Sequence, residues 1–127
     1  LKNWNGPGPA DATFTFGGGG AGVRPLVGDW NGDGVSTIGL YVSSTATLFL
    51  KDANAPGAAD LAFAYGGPGA WPVVGDWNGD GTDTIGIYAV GTGFWFLRND
   101  NAPGAADLTF GYGPAGVMPI VGNWDGQ

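Results

Sequence analysis

Asp76-Trp77-Asn78-Gly79-Asp80-Gly81 recurs almost word for word at Asp29-Trp30-Asn31-Gly32-Asp33-Gly34, and in altered form at Asn123-Trp124-Asp125-Gly126-Gln127. Trp30, Trp77 and Trp124 each stand 47 residues from the next, so the chain is a tandem repeat before it is anything else. Within each copy, oxygen-bearing side chains fall at alternate positions with a glycine in sixth place. That spacing lets a tight loop turn carbonyls and carboxylates toward one hard cation, and calcium is the first chemical expectation.

Outward from the loop, the same order of segments repeats. Each loop is entered from a short β-branched run, Pro25-Leu26-Val27, Pro72-Val73-Val74 or Pro119-Ile120-Val121. Two of the loops leave through Thr37-Ile38-Gly39-Leu40-Tyr41-Val42 and Thr84-Ile85-Gly86-Ile87-Tyr88-Ala89, followed by Leu48-Phe49-Leu50-Lys51 and Phe94-Trp95-Phe96-Leu97-Arg98. Period-two runs Thr13–Phe16, Leu61–Tyr65 and Leu108–Tyr112 follow Pro/Gly loops closed by Asp11, Asp60 and Asp107, which are expected to cap backbone amides. Strands with no polar face must be covered on both sides. The expectation is an all-β fold of tandem, four-stranded antiparallel units of about 47 residues stacked face to face, as in the blades of a β-propeller. Residues 1–25 read as the end of a preceding blade, its fourth strand and connecting loop. Residues 26–71 and 72–118 read as complete blades with cation loops 29–37 and 76–84, and 119–127 as the first strand of a further blade. The chain therefore reads as a slice of a longer array, or as a protomer completed by another chain.

Composition narrows the function classes. The 127 residues are 43% hydrophobic and 13% aromatic, with 12% charged, enough apolar surface to offset the entropy of ordering the chain. All eleven acidic residues are Asp, which suits turns and metal loops better than helix surfaces. A formal net charge of −7, with only Lys2, Arg24, Lys51 and Arg98 as cations, argues against nucleic acid and anionic membrane surfaces. His and Cys are absent, which removes the usual general base, thiolate chemistry and disulfides. No run reaches the length of a membrane span.

From Val74-Gly75-Asp76-Trp77-Asn78-Gly79-Asp80-Gly81 through Asp83-Thr84-Ile85-Gly86-Ile87-Tyr88, the chain resembles the FG-GAP/VCBS-type repeats of bacterial extracellular proteins, relatives of the integrin α-subunit propeller. The resemblance covers essentially the whole chain. It implies calcium in the hairpin between the first two strands, held by side chains at the first, third, fifth and ninth loop positions and a carbonyl at the seventh. Carried over, those are Asp29, Asn31, Asp33, the Val35 carbonyl and Thr37, and Asp76, Asn78, Asp80, the Thr82 carbonyl and Thr84. Asp is the family's usual ninth residue, so Thr37 and Thr84 leave two carboxylates per loop and point to weak or moderate affinity. Asp83 is a spare carboxylate in its copy, whereas Ser36 is not. The third loop, with Asn123, Asp125 and Gln127, is not expected to bind.

The resemblance also implies a secreted or cell-surface setting. The reading that follows is a non-enzymatic structural or adhesive module, calcium-stabilised, whose partners are further copies of the same repeat, in a homo-oligomer or an extracellular filament. A carbohydrate-binding propeller is the alternative, with Trp4, Trp71 and Trp95 as candidate platforms for glycans; their repeat counterparts are not aromatic. Trp30, Trp77 and Trp124, repeated beside every turn, read as packing elements.

Overall fold

β-branched and aromatic residues at alternate positions favour extended backbone, and in this chain they pair into two antiparallel ladders. The computed structural model describes residues 1–126; Gln127, the fifth position of the third loop, lies outside the described residues. The first sheet runs β1 (Val23–Gly28), β2 (Thr37–Val42), β3 (Thr47–Leu50) and β4 (Leu61–Ala64), in that order. The second repeats it with β5 (Trp71–Gly75), β6 (Thr84–Ala89), β7 (Phe94–Leu97) and β8 (Leu108–Gly111). Every neighbouring pair is antiparallel, and no helix occurs among the described residues.

Register decides which side chains share a face. Tyr41 lies opposite Arg24 and Leu48, and Leu48 opposite Phe63. On the second sheet, Ile85 lies opposite Val74, and Ile87 opposite Pro72 and Phe96. These two faces meet. Leu26, Trp30, Tyr41, Leu48, Leu50, Phe63 and Tyr65 form one buried cluster with Ile85 and Ile87, and Val74 packs against it. Burial of this apolar face is the main force joining the sheets.

The strand glycines belong to the same packing. A Cβ on Gly39 would come within 2.8 Å of Leu50 Cδ2 and 3.2 Å of the Trp30 ring; on Gly86, within 2.5 Å of Leu97 Cδ2 and 2.8 Å of Val73 Cγ2. Gly28 and Gly75 leave room for the rings of Trp30 and Trp77 in the same way. Trp30 and Trp77 thus lie across glycines of their own sheets, the packing role expected of them, whereas Trp124, expected to pack in the same way, belongs to no sheet and is 77% exposed.

Two expected strands do not form. Thr13–Phe16 is not a strand, although Leu1 and Ala12 make a reciprocal pair, with N–H to O distances of 2.8 and 3.2 Å. In the complete sheets, β4 and β8 pair along β3 and β7, and only Leu1 corresponds to those partners here. Pro119–Trp124 is likewise not a strand, because the segments that pair with β1 and β5 have no counterpart within residues 1–127. Extended backbone without a neighbour has no ladder to join.

Repeat-equivalent positions now differ in burial, which gives a test. Ile87 is 3% exposed within the inter-sheet cluster, whereas its counterpart Leu40, on the outer face of the first sheet, is only half-buried. Ile87→Ala is expected to cost about 2–5 kcal/mol in urea denaturation, and Leu40→Ala clearly less.

Candidate functional site

Each candidate loop is a hairpin whose first residue holds the turn together. In the first, the Asp29 carboxylate accepts hydrogen bonds from the amides of Asp33 (3.1 Å) and Gly34 (2.7 Å). Asn31 Oδ1 accepts from the Asp33 amide at 3.2 Å, and its Nδ2 donates to Asp33 Oδ2 at 3.0 Å. Asp33 Oδ1 in turn accepts from the Val35 amide at 2.8 Å. In the second loop, Asp76 accepts from Gly79, Asp80 and Gly81, Asn78 donates to Asp80 at 2.9 Å, and Asp80 accepts from Thr82 at 2.8 Å. The sixth-position glycines, Gly34 and Gly81, carry φ of 87° and 91°, a region that side chains with a Cβ enter only under strain.

The first, third and fifth positions therefore converge in both loops, where their oxygens accept from the amides of the turn. The ninth positions are placed differently. Thr37 and Thr84 are buried; the Thr37 hydroxyl donates to the Gly28 carbonyl at 3.3 Å, and that of Thr84 to the carbonyls of Arg98 (2.7 Å) and Gly75 (3.4 Å). These threonines tie the loop base to the sheet. Two carboxylates per loop remain, and among the described residues no three acidic groups gather as a metal cluster. In the third loop, the Asn123 side chain accepts from the Gly126 amide at 3.0 Å.

Hydrogen bonding to Asn78, and then to the Thr82 amide, holds the Asp80 carboxyl below its usual value of 3.8. A depressed folded-state value contributes stability that is present above the unfolded value and lost as pH falls through the folded one.

Asp83, the spare carboxylate, is engaged elsewhere. Its Oδ2 accepts from the Asp29 amide at 2.8 Å, and its own amide donates to the Asp29 carbonyl at 2.8 Å. These reciprocal bonds cross from the second sheet to the root of the first loop. Nearby, a Cβ on Gly32 would stand 2.9 Å from Thr82 Oγ1, so the two loops lie against each other. Asn101 Nδ2 donates to the Asp83 carbonyl at 2.9 Å, as Asn54 Nδ2 does to that of Ser36 at 3.1 Å. The Oδ1 atoms of both asparagines are buried without a hydrogen-bond partner. The inter-sheet role of Asp83 was not readable from spacing within one unit, because its partner lies 54 residues away.

The Pro/Gly loops are built by ions that composition showed only as scattered charge. The amides of Asn3, Asp52 and Asn99 each donate to the closing aspartate, Asp11, Asp60 and Asp107, at 2.8 Å. Lys2 and Lys51 donate to carbonyls inside their loops, and Arg98 does so to Ala105.

Of the candidate sugar platforms, Trp71 and Trp95 flank Tyr88 on one face of the second sheet, and each is engaged by a neighbour. Arg24 lies 3.8 Å from the Trp71 ring centre, and Trp95 stacks on Phe110 while its Nε1 donates to the Tyr112 carbonyl. Trp4 is exposed, with the Lys2 ammonium 4.6 Å from its ring.

Two measurements follow. Asp83→Ser, which installs the residue found at position 36, should cost about 1.5 kcal/mol in denaturation, the low end of the range for a hydrogen bond to a charged group. Asp80→Ala should make stability fall less steeply with acid below about pH 4, since it removes a carboxylate that must otherwise be protonated. No family model, curated protein or solved structure matches this chain.

Proposed function

We propose that this chain is a non-enzymatic structural repeat module, built of propeller-blade-like sheets whose task is to stack, with calcium at the first two hairpin loops as a stabilising ligand. The observation that carries it is the joint between the sheets. An apolar face covers an apolar face there, and the reciprocal Asp29–Asp83 bonds and the Tyr65 hydroxyl, donating to the Phe96 carbonyl at 3.2 Å, add polar register. The repeated side chains are spent on this stacking and on the turns.

Calcium would be held by Asp29, Asn31 and Asp33 with the Val35 carbonyl, and by Asp76, Asn78 and Asp80 with the Thr82 carbonyl. The donor set is all oxygen, which suits a hard cation, and two carboxylates per loop suit affinity in the weak range of extracellular modules. Buried, unpartnered oxygens on Asn54 and Asn101, repeated beneath both loops, favour a polar species there as well. Thr37 and Thr84 serve the loop base. A secreted or cell-surface setting, with calcium plentiful, fits this chemistry, and adhesion is the use to which rigid stacks of this kind lend themselves. No helix of the described residues is long and apolar enough to cross a membrane.

The test is thermal. A ligand that binds only the folded state adds stability by mass action, about 2.7 kcal/mol at a hundredfold excess over Kd. Millimolar calcium should raise the melting temperature of the chelator-treated protein, and Asp29→Asn with Asp76→Asn should remove the rise. Superimposable melting curves with calcium and with chelator would refute calcium stabilisation.

A further inference from the structure

The interface inside this chain is a template for a second one. The face of the first sheet that meets the second carries Tyr41, Leu48, Phe63 and, just beyond β4, Tyr65. Shifted by one unit these are Tyr88, Trp95, Phe110 and Tyr112, on the face of the second sheet turned away from the first. Tyr65 is 6% exposed under the second sheet, while Tyr112 is 74% exposed; Phe63 and Phe110 are 8% and 38%.

The opposite end of the stack carries the matching half. Val74, Ile85, Ile87 and Phe96 are the side chains that the second sheet lays on the first. Their counterparts on the outer face of the first sheet are Val27, Ile38, Leu40 and Phe49, apolar at all four places, and Val27 is 60% exposed. One end therefore presents the receiving face of the internal interface, and the other the face that it receives.

We infer that the outer face of the second sheet docks the outer face of the first sheet of another copy of this chain, repeating the internal interface head to tail. This rests on the stacking-module reading above and names its partner. The approach is prepared by the segment after β8. Pro114 accepts from the Tyr88 hydroxyl at 2.9 Å as Gly67 does from Tyr41 at 3.2 Å, and the Gly116 amide reaches Val90 as that of Gly69 reaches Ser43. Beyond it, residues 121–125 border Val74–Trp77, beside the strand that β1 contacts within the chain, and Ile120 and Trp124 are exposed. At the other end, Phe14 and Phe16 lie along Ile38 and Leu40. Neither arm forms a strand, and both give way to the incoming sheet, which offers a full ladder of paired residues in their place. In the docked pair, the Tyr112 hydroxyl takes the Phe49 carbonyl of the second copy, as Tyr65 takes Phe96. Ser36 stands where Asp83 does, so this joint lacks the carboxylate that clips the internal one. The contact is heterologous, and repetition yields a ring or a filament according to the rotation.

Sedimentation velocity of the full chain over a range of concentrations tests this. The wild type is expected to associate reversibly. Tyr112→Asp and Val27→Asp, each on an exposed side chain at opposite ends, should each weaken self-association about tenfold or more, as expected for loss of a buried anchor. An equimolar mixture of the two should restore pairing, but only to 1:1 dimers, since each variant keeps one intact face. Melting curves confirm folding, with Tyr112→Ala and Val27→Ser in reserve if either aspartate variant melts early. A wild type that stays monomeric, association indifferent to both substitutions, or a mixture no larger than its components would overturn the inference. The calcium-dependent melting shift is independent of all three, so a failure here is distinguishable from failure of the proposed function.

Discussion

Strands that are apolar on both faces cannot face water on either, and this constraint governs the molecule. Thr84–Ala89 is buried over five of its six residues: Ile85 and Ile87 reach the first sheet, while Tyr88 is covered by Trp95 and the Pro114 loop. One side of this strand is thus covered by sheet-on-sheet packing and the other by its own sheet's aromatic ring and a loop. The tryptophans lying over Gly39 and Gly86 are part of the same solution, since they seal the end of each sheet where its loop begins.

Polar groups add register to what burial alone leaves loose. An apolar face can slide by a residue pair with little loss, but the reciprocal bonds between Asp29 and Asp83, and the hydroxyl of Tyr65 on Phe96, hold in one alignment only. The joint also meets the root of a candidate cation loop. Asp29 serves both, since its carboxylate orders the turn while its backbone holds the neighbouring sheet.

The eight strands were legible because hydrophobic alternation and the repeat reinforce each other; Ile85 and Ile87 read as interior before any coordinates. The loops were legible too, since Asp-x-Asn-x-Asp-Gly dictates the convergence of its first, third and fifth side chains. What sequence could not show was long-range partnership. Thr13–Phe16 and Pro119–Trp124 carry the strand pattern but lack neighbours to pair with, and pattern alone does not report that. The ninth loop position is a ligand by resemblance alone, and spacing does not show that the Thr84 hydroxyl donates to the carbonyl of Arg98, just beyond the third strand of its sheet. Thr37–Val42 carries the same two-sided apolar pattern as Thr84–Ala89, yet its Ile38 and Leu40 stay half-buried because no sheet lies over them.

Native-state hydrogen exchange addresses the central claim, that the two sheets are one cooperative unit made by their shared face. The Lys51 and Arg98 amides, bonded at 3.1 Å to Ile38 and Ile85, report on the first and second sheet in turn. The account predicts similar protection at both sites, lowered by the same amount in Ile87→Ala, because opening either sheet exposes the face of the other. Loss of protection at Arg98 alone, with Lys51 unchanged, would show that the sheets stand independently and would contradict it.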